Sequence, residues 1–374
     1  MIDSKDFVNF LEEKEVQFFS GVPDSLLSNV CFYLIDHFDT NKHMIAANEG
    51  AAVALGIGYH LATGNIPLCY MQNSGFGNAI NPLLSLADQS VYSIPMLLLI
   101  GWRGNPEEHD EPQHIKQGQV TIPMLKAMGL PYEVLHNNWL HTKMILEKSI
   151  KYVRQNQTPY VLLVRRNTFN KYVHLNKKSN TLFLTRETAL ECVIKSLNPS
   201  DVVVSTTGMI SREVFEIRKK LVHSHAQDFL TVGGMGHASQ VALGIALQKP
   251  DRQVYCLDGD GALLMHMGAL AINGTLGLKN FKHILINNGA HDSVGGQPTV
   301  AFKIDFPRMA LAAGYKFAKM IQSEKNVSEQ MKNLKNLDGP LFLEIQVKKG
   351  SRNDLGRPPN SFLKNKELFV SYLA

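Results

Sequence analysis

The chain has 374 residues, of which 44% are hydrophobic and 19% are charged, and it carries a formal net charge of +5. Its length predicts two or three domains, and its composition is that of an ordinary globular protein. The basic residues are dispersed along the chain, so the charge pattern does not indicate nucleic-acid binding. Small anionic substrates fit this mildly basic balance.

The four cysteines are scattered and include no pair at the spacing of metal ligands. They indicate reduced thiols, and the N-terminus lacks the apolar core of a signal peptide, so we expect a cytoplasmic protein. The longest apolar run, residues 94–100, is far too short to cross a bilayer, and no membrane partner is expected.

Strand-like and helix-like segments alternate along the first half of the chain. Helices are predicted over residues 7–16, from Pro23 onward, and over residues 51–61; strands are predicted over residues 17–21, 44–47, 68–71, 95–100 and 160–164. Residues 166–186 lose apolar periodicity and gain Asn and Lys, which indicates a domain boundary. We place that boundary between residues 175 and 176.

The second half repeats the alternation without any short-period sequence repeat. Strands are predicted over residues 202–205, 254–257, 284–286 and 341–345, with helices between them, one of which spans residues 262–277. Such repetition predicts an α/β protein of two doubly wound parallel-sheet domains, residues 1–175 and 176–374, without a third, middle domain.

Asp260 and Asn288 are the first pair of candidate ligands. Asp260 lies between Gly259 and Gly261, and each of the two polar residues follows an apolar strand-like run. Ligands bind at the carboxyl ends of parallel strands, and carboxylate and amide oxygens suit Mg²⁺. The glycines let the backbone approach a diphosphate at a helix N-terminus. An ordinary turn at Asn288 is the alternative interpretation.

Two further segments carry candidate binding residues. Residues 46–52 place Glu49 between a strand and a helix rich in Ala and Gly, where a carboxylate also fits simple capping of the helix. Residues 231–238 form a glycine-rich turn around Met235, which either meets a ligand or fills the core.

Together, these three segments resemble the thiamine diphosphate (TPP) enzymes, which pair a pyrimidine-binding domain with a diphosphate-binding domain. The resemblance implies that residues 1–175 form the first and residues 176–374 the second. Glu49 is then the catalytic residue, which hydrogen-bonds the aminopyrimidine ring, and Met235 supports the bent cofactor. The implied Mg²⁺ ligands are Asp260, Asn288 and the main-chain carbonyl of Ala290. The implied cofactor-binding residues are Thr207, Gly208, Gly234, Met235, Gly259, Gly261 and Ala262.

One branch of this family is matched further, by residues 72–78, 102–104, 111–114, 206–213 and 295–299. These segments resemble the phosphonopyruvate and sulfopyruvate decarboxylases. The resemblance implies TPP- and Mg²⁺-dependent conversion of 3-phosphonopyruvate to phosphonoacetaldehyde and CO₂ in phosphonate biosynthesis. The alternatives are a sulfopyruvate decarboxylase, a carboligating enzyme of the acetolactate synthase kind, and a binding module without chemistry.

A substrate with a carboxylate and a phosphonate needs cations and hydrogen-bond donors. The candidates are Asn73, Asn78, Arg103, His114, Arg212 and His291, each of which also fits an ordinary surface or structural role. Larger relatives carry paired histidines where this chain has Asn73 and Ser74, so the proton donor is left open. Because the family places its cofactor between subunits, we expect a homodimer or a higher homo-oligomer.

Overall fold

Two six-stranded parallel sheets form the framework of the computed structural model, which describes residues 1–175, 182–356 and 361–374. The chain divides into two compact units, Met1–Lys178 and Ser179–Ala374. The boundary predicted between residues 175 and 176 adjoins residues 176–181 and lies outside the described residues.

The first unit is a sheet with helices between its strands. Its strands are β1 (Phe19–Gly21), β2 (His43–Ile45), β3 (Leu68–Gln72), β4 (Met96–Gly101), β5 (Tyr132–Val134) and β6 (Pro159–Val164). Its helices are α1 (Ser4–Glu13), α2 (Ser28–His37), α3 (Glu49–Thr63), α4 (Phe76–Pro82), α5 (Pro112–Ala127) and α6 (Trp139–Asn156). The strands lie in the order β2-β1-β3-β4-β6-β5, and all neighbours are parallel.

The second unit follows the same plan. Its strands are β7 (Val202–Ser205), β8 (Asp228–Leu230), β9 (Val254–Gly259), β10 (Phe281–Asn287), β11 (Ala290–His291), β12 (Gln297–Pro298), β13 (Phe317–Ile321) and β14 (Leu341–Gln346). Its helices are α7 (Arg186–Ser196), α8 (Met209–Lys220), α9 (Ala238–Gln248), α10 (Asp260–Met265), α11 (Ala269–Thr275), α12 (Phe306–Ala312), α13 (Glu324–Leu334) and α14 (Phe362–Leu373). The parallel sheet has the order β13-β14-β10-β9-β7-β8, and β11 and β12 form a small antiparallel pair.

The two sheets have the same topology. When the sheet strands of each unit are counted along the chain, both units have the order 2-1-3-4-6-5. The chain direction across the sheet reverses between the first and third strands, which is where open α/β sheets bind ligands. These positions are β1/β3 in the first unit and β7/β9 in the second. The predicted pair of doubly wound parallel-sheet domains is confirmed, and the described residues contain no third domain.

Each sheet is covered by helices on both faces, so its central strands are mostly apolar. In β4, for example, Leu97 and Leu99 face one core while Leu98 and Ile100 face another, and all four are fully buried. This double burial explains why the central strands are plain apolar runs in the sequence. Among the described residues, no helix combines the length and the apolar character that crossing a membrane requires.

Local details differ from the sequence-based predictions. The helix predicted over residues 262–277 is two short helices, α10 and α11, because the helical hydrogen bonding breaks at residues 266–268. The helix predicted from Pro23 begins only at Ser28, because residues 25–27 form a turn. The edge strands β5, β8 and β13 were not predicted, because short or half-exposed strands lack a long apolar run.

Candidate active site

An open cleft lies in the second unit where β7 and β9 are neighbours. Thr206 and Thr207 follow β7, Gly259 and Asp260 end β9 and begin α10, and Asn288 follows β10; all of them line the cleft. The main-chain N–H of Thr206 donates to the carbonyl of Leu257 at 2.8 Å, which holds the two strand ends together. The cleft is therefore at the topological switch point of the sheet.

Asp260 is a buried carboxyl group at the base of this cleft, with only 2% of its surface exposed. Its Oδ2 accepts a hydrogen bond from Thr299 Oγ1 at 2.5 Å, and the main-chain N–H of Asn288 also donates to it. Burial raises the pKa of Asp260 to about 7, although these hydrogen bonds oppose the shift. Within the described ranges no basic side chain pairs with Asp260, so this carboxylate suits a bound cation.

Asn288 and Ala290 lie beside Asp260. The Oδ1 atom of Asn288 accepts from the main-chain N–H of Ala290 at 3.1 Å, and its Nδ2 donates to Asp292 Oδ2 at 2.7 Å. Ala290 begins β11 and also lines the cleft. The structure thus brings the three predicted metal ligands to one place, with oxygen donors of the kind that Mg²⁺ prefers.

The neighbouring polar groups also fit a diphosphate. In the described part of the chain, the buried Thr206 Oγ1 has no hydrogen-bond partner, and it lines the cleft as an unused donor. Gly208 directly precedes α8, and its φ of +96° is a backbone conformation that favours glycine. The carboxylate, the amide oxygen and the free hydroxyl together fit a magnesium diphosphate.

The predicted cofactor-binding residues mostly line the cleft: Thr207, Met235, Gly259, Gly261 and Ala262. Gly208 and Gly234 adjoin lining residues without lining it themselves. A Cβ atom on Gly261 would lie 2.7 Å from the ring of His291 and 3.2 Å from Met235 Cε, so these three residues pack closely. Burial lowers the pKa of His291 to about 4, and its ring is neutral at neutral pH.

Glu49 is the corresponding buried carboxyl group of the first unit, with 4% of its surface exposed. Its Oε2 accepts from Asn78 Nδ2 at 2.7 Å, and burial raises its pKa. The side-chain cap of α3 is Asn48, whose Oδ1 accepts from the main-chain N–H of Ala51 at 2.9 Å. Glu49 is therefore not needed as the capping side chain, and its carboxyl group is held in place by an amide.

Gly75 lies in close contact with the Glu49 carboxyl group. A Cβ atom at residue 75 would lie only 1.9 Å from Glu49 Oε1. Two residues further on, a Cβ atom on Gly77 would meet nothing within 4 Å. The carboxyl group therefore fits into a space that only glycine at residue 75 leaves open.

Besides Asn78, two further substrate candidates in the first unit already have partners. Asn73 donates from Nδ2 to the carbonyl of Arg103 at 2.8 Å and to Thr121 Oγ1 at 2.9 Å. Arg103 forms a two-pronged ion pair with Asp110, at 2.7 and 2.5 Å, and also donates to Ser25 Oγ at 2.8 Å. Both side chains hold the loop that follows β4, which leaves them few donors for a substrate.

His114 and Arg212 are in a different situation. Burial and the nearby Arg103 lower the pKa of His114 to about 4, and its buried Nδ1 has no partner among the described residues. Arg212, in the first turn of α8, is half-buried, and the described part of the chain places no carboxylate beside it. Burial lowers the pKa of Arg212 without any opposing acid. Of the two candidate arginines, Arg212 is thus the one whose donors have no partner among the described residues.

Asp24 is a residue that sequence reasoning missed. It is fully buried just beyond β1, where its Oδ1 accepts from Gln72 Nε2 at 2.5 Å at the end of β3. Its Oδ2 accepts from the main-chain N–H of Leu26 at 3.0 Å, and burial raises its pKa. These residues lie at the switch point of the first sheet. The available signal was an acid directly after a strand, which we interpreted as the start of a helix.

His237 and His266 were also missed, and they lie near the cleft-lining Met235. Their ring centroids are 4.5 Å apart. Burial lowers the pKa of His266, and in the described residues its buried Nε2 has no hydrogen-bond partner. The two rings are separated by 29 positions in the chain, and neither has a sequence neighbourhood that would indicate the pairing.

Two descriptions of known protein families match the chain, one in each half. The family described as "Thiamine pyrophosphate enzyme, N-terminal TPP binding domain" matches residues 4–124, and "Thiamine pyrophosphate enzyme, C-terminal TPP binding domain" matches residues 206–345. Such enzymes use the cofactor together with Mg²⁺.

Similar proteins match over nearly the whole chain. The phosphonopyruvate decarboxylase of Streptomyces viridochromogenes is 32% identical, over 96% of this chain and 91% of its own length. That of Streptomyces hygroscopicus is also 32% identical, over 96% of this chain and 90% of its own length. The sulfopyruvate decarboxylase of Methanosarcina acetivorans is 26% identical, over 92% and 91% of the two chains. The chain therefore belongs to the thiamine pyrophosphate enzymes, in the group that contains these decarboxylases.

Proposed function

We propose that this enzyme decarboxylates 3-phosphonopyruvate to phosphonoacetaldehyde and CO₂ as a step of phosphonate biosynthesis in the cytoplasm. The observation that carries the proposal is the similarity to phosphonopyruvate decarboxylases along 96% of the chain, which includes both cofactor-binding halves. In the reaction, the C1–C2 bond of the substrate breaks, the carboxyl carbon leaves as CO₂, and a proton takes its place on C2.

The cofactor site in this proposal is the cleft of the second unit. Asp260, Asn288 and the carbonyl of Ala290 hold Mg²⁺, and Thr206 and Thr207 donate to the diphosphate. The glycines 208, 234, 259 and 261, with Ala262, keep the backbone close to the cofactor, and Met235 supports its ring. When bound, the thiazolium ring supplies the electron sink that makes loss of CO₂ feasible.

Glu49 is the proposed catalytic residue. Its raised pKa suits a carboxyl group that shares a proton with the aminopyrimidine ring near neutral pH. Asn78 donates to Oε2 and leaves Oε1 for this contact, while Gly75 leaves the space that the carboxyl group occupies. Asp24, which is buried at the switch point of the same sheet, is an additional candidate for proton transfer.

Arg212 is the proposed ligand of the phosphonate group. A guanidinium group with free donors binds a phosphonate with two parallel hydrogen bonds. Arg103 is already paired with Asp110, so its proposed role is to hold the loop that presents His114. The neutral rings of His114 and His291 and the amide of Asn78 complete the proposed substrate contacts. Asn73, which is occupied by Arg103 and Thr121, contributes only by shaping this loop.

We further propose a homodimer or a higher homo-oligomer, in which Glu49 and Asp260 of different subunits complete each active site. Mixing the inactive variants Glu49→Gln and Asp260→Asn after reversible dissociation tests this arrangement. Randomly mixed dimers would recover roughly a quarter of wild-type activity, because half of them carry one intact site out of two. Absence of any recovery, with mixed dimers demonstrated, contradicts the shared site.

The test of the function is CO₂ and aldehyde release from phosphonopyruvate, sulfopyruvate and pyruvate, each with and without TPP and Mg²⁺. We expect cofactor-dependent turnover with a clear preference for phosphonopyruvate. A preference for sulfopyruvate would support the second candidate, which the relative of 26% identity favours. Condensation products in place of aldehyde would indicate a carboligating enzyme instead.

A further inference from the structure

A buried ion cluster lies beside the proposed metal ligand Asn288, and its members Arg186 and Asp292 also line the cleft. Arg186, the first residue of α7, forms a two-pronged ion pair with Glu213 of α8, at 2.8 and 2.9 Å. Its remaining nitrogen donates to Asp292 Oδ2 at 2.8 Å. The side chains of Arg186 and Glu213 are 4% and 2% exposed, and that of Asp292 is 10% exposed. The guanidinium group is therefore a fixed platform that positions Asp292.

A single oxygen of Asp292 collects three hydrogen bonds. Besides Arg186, its Oδ2 accepts from Asn288 Nδ2 at 2.7 Å and from the main-chain N–H of Gly350 at 3.0 Å. These donors come from three separate parts of the chain: the start of α7, the turn after β10 and the segment after β14. The position of this oxygen is thus determined by the fold and not by the local turn.

This contact decides which way the amide of Asn288 points. An ionised carboxylate only accepts hydrogen bonds, so the NH₂ group of Asn288 must face Asp292 and the oxygen must face away. In the observed orientation, the main-chain N–H of Ala290 donates to Oδ1 at 3.1 Å. The opposite orientation would place Oδ1 against the carboxylate and Nδ2 against this N–H group. Oδ1 keeps a second lone pair for a metal, and the main-chain N–H of the same residue donates to Asp260.

We propose that Asp292, held by Arg186 and Glu213, is a positioning residue that directs the amide oxygen of Asn288 toward the metal. The inference rests on the proposed roles of Asp260 and Asn288 as metal ligands. Outer partners of this kind orient ligands for a metal, and their loss typically weakens metal affinity by about 10–100-fold.

Mn²⁺ is a suitable probe, because its free concentration is measured directly by electron paramagnetic resonance in the presence of saturating TPP. Asp292→Ala removes the acceptor, and we expect the Mn²⁺ dissociation constant to rise by about 10–100-fold. Asp292→Asn keeps an oxygen at the position of Oδ2 and can retain all three hydrogen bonds, so we expect a change of no more than about threefold. Asp354→Ala is the matched control, since this aspartate forms an ion pair with Arg352 and is 81% exposed.

Two results would overturn the inference: an Asp292→Ala affinity within about threefold of wild type, or an Asp292→Asn variant as weak as Asp292→Ala. The second result would mean that the charge of Asp292 matters and the orientation of Asn288 does not. If Asp292→Ala fails to fold, Asp292→Ser replaces it, because its shorter side chain also leaves no acceptor at the position of Oδ2. If wild-type enzyme binds no Mn²⁺ with TPP, the proposed cofactor site itself is wrong.

Discussion

Glu49 and Asp260 are two buried carboxyl groups in two units of identical topology, and each is the first residue of a helix that follows a parallel strand. Burial raises the pKa of both. Their partners differ, since Glu49 accepts from the amide of Asn78 whereas Asp260 accepts from the Thr299 hydroxyl and the main-chain N–H of Asn288. The comparison teaches that burial destabilises the ionised form of a carboxyl group. The neighbouring groups then determine whether the carboxyl group binds a proton or a cation.

The largest expected effect comes from Glu49→Gln. Because the carboxyl group is the proposed proton-sharing group, we expect kcat to fall by roughly 10²–10⁴-fold. TPP affinity should change little, since Gln keeps the volume and can still accept from Asn78. CO₂ release and calorimetric TPP binding measure the two quantities, with Glu15→Gln, at a 72% exposed side chain, as the control. Retention of more than about a tenth of the activity would assign the proton transfer to another residue.

Asp260→Asn should separate cofactor binding from folding. Ligand at about 100 times its dissociation constant stabilises a protein by about 2.7 kcal/mol, and we expect the variant to lose this gain with TPP and Mg²⁺. Without ligands, the variant should be at least as stable as wild type, because it no longer buries an unpaired carboxylate. Thermal unfolding with and without ligands checks both, and Asp305→Asn, 54% exposed, is the control. An unchanged ligand-induced rise in Tm contradicts the metal role.

Gly75→Ala addresses the position of Glu49 without changing its chemistry. The added methyl group would lie 1.9 Å from Glu49 Oε1 and must displace the carboxyl group. Since misplacement by about 1 Å costs up to about 10²-fold, we expect kcat to fall by about 10–10²-fold. Gly77→Ala is the matched control, because its methyl group meets nothing within 4 Å. Equal activity of the two variants would show that the exact position of Glu49 is unimportant.

Much of the fold was predictable from the sequence, and the reason is burial. Central strands such as β9 and β10 are covered on both faces, so they are apolar runs that end at recognisable polar residues. The edge strand β13 has a half-exposed pattern and gives no such signal. Asp260 and Asn288 were found because each directly follows a central strand, where a local pattern is sufficient.

The partners of the site residues were not predictable in the same way. Arg186 meets Asp292 across 106 positions, and only the folded sheet brings them together. Arg103 and Arg212 were equal candidates in the sequence. The structure distinguishes them, because a turn returns Asp110 to Arg103 seven positions later, whereas no described carboxylate reaches Arg212. The chemistry of a charged residue depends on such contacts, and a sequence pattern does not contain them.

This difference between the two arginines predicts different phenotypes. Arg212→Ala should raise KM for phosphonopyruvate by about 10-fold or more, because a charge-assisted hydrogen bond contributes about 1.5–3 kcal/mol. KM for pyruvate, which lacks the phosphonate, should stay the same. Arg103→Ala should mainly lower stability, since it leaves Asp110 buried without its cation. Steady-state kinetics on both substrates measure the effect, and equal KM changes for the two substrates would contradict phosphonate binding by Arg212.

The smallest effect is expected from Asp110→Asn, which removes the ion pair from the other side. Burial raises the pKa of Asp110, but hydrogen bonds from Arg103 and Gly104 outweigh burial and lower it to about 2. Because this folded-state pKa is below the unfolded value of about 3.9, the stabilisation is present above pH 4 and is lost as the pH falls toward 2.

Urea unfolding from pH 2.5 to 7 measures this dependence. The free energy of unfolding of the wild type should exceed that of Asp110→Asn by about 2 kcal/mol above pH 5, and the two values should converge toward pH 2. Glu107→Gln is the control, because this neighbouring acid pairs with Arg165 at a 70% exposed position and should contribute little at any pH. A pH-independent difference would mean that Asp110 acts through packing and not through its charge. Arg103 would then have free charge for an anion, and the contrast with Arg212 would no longer hold.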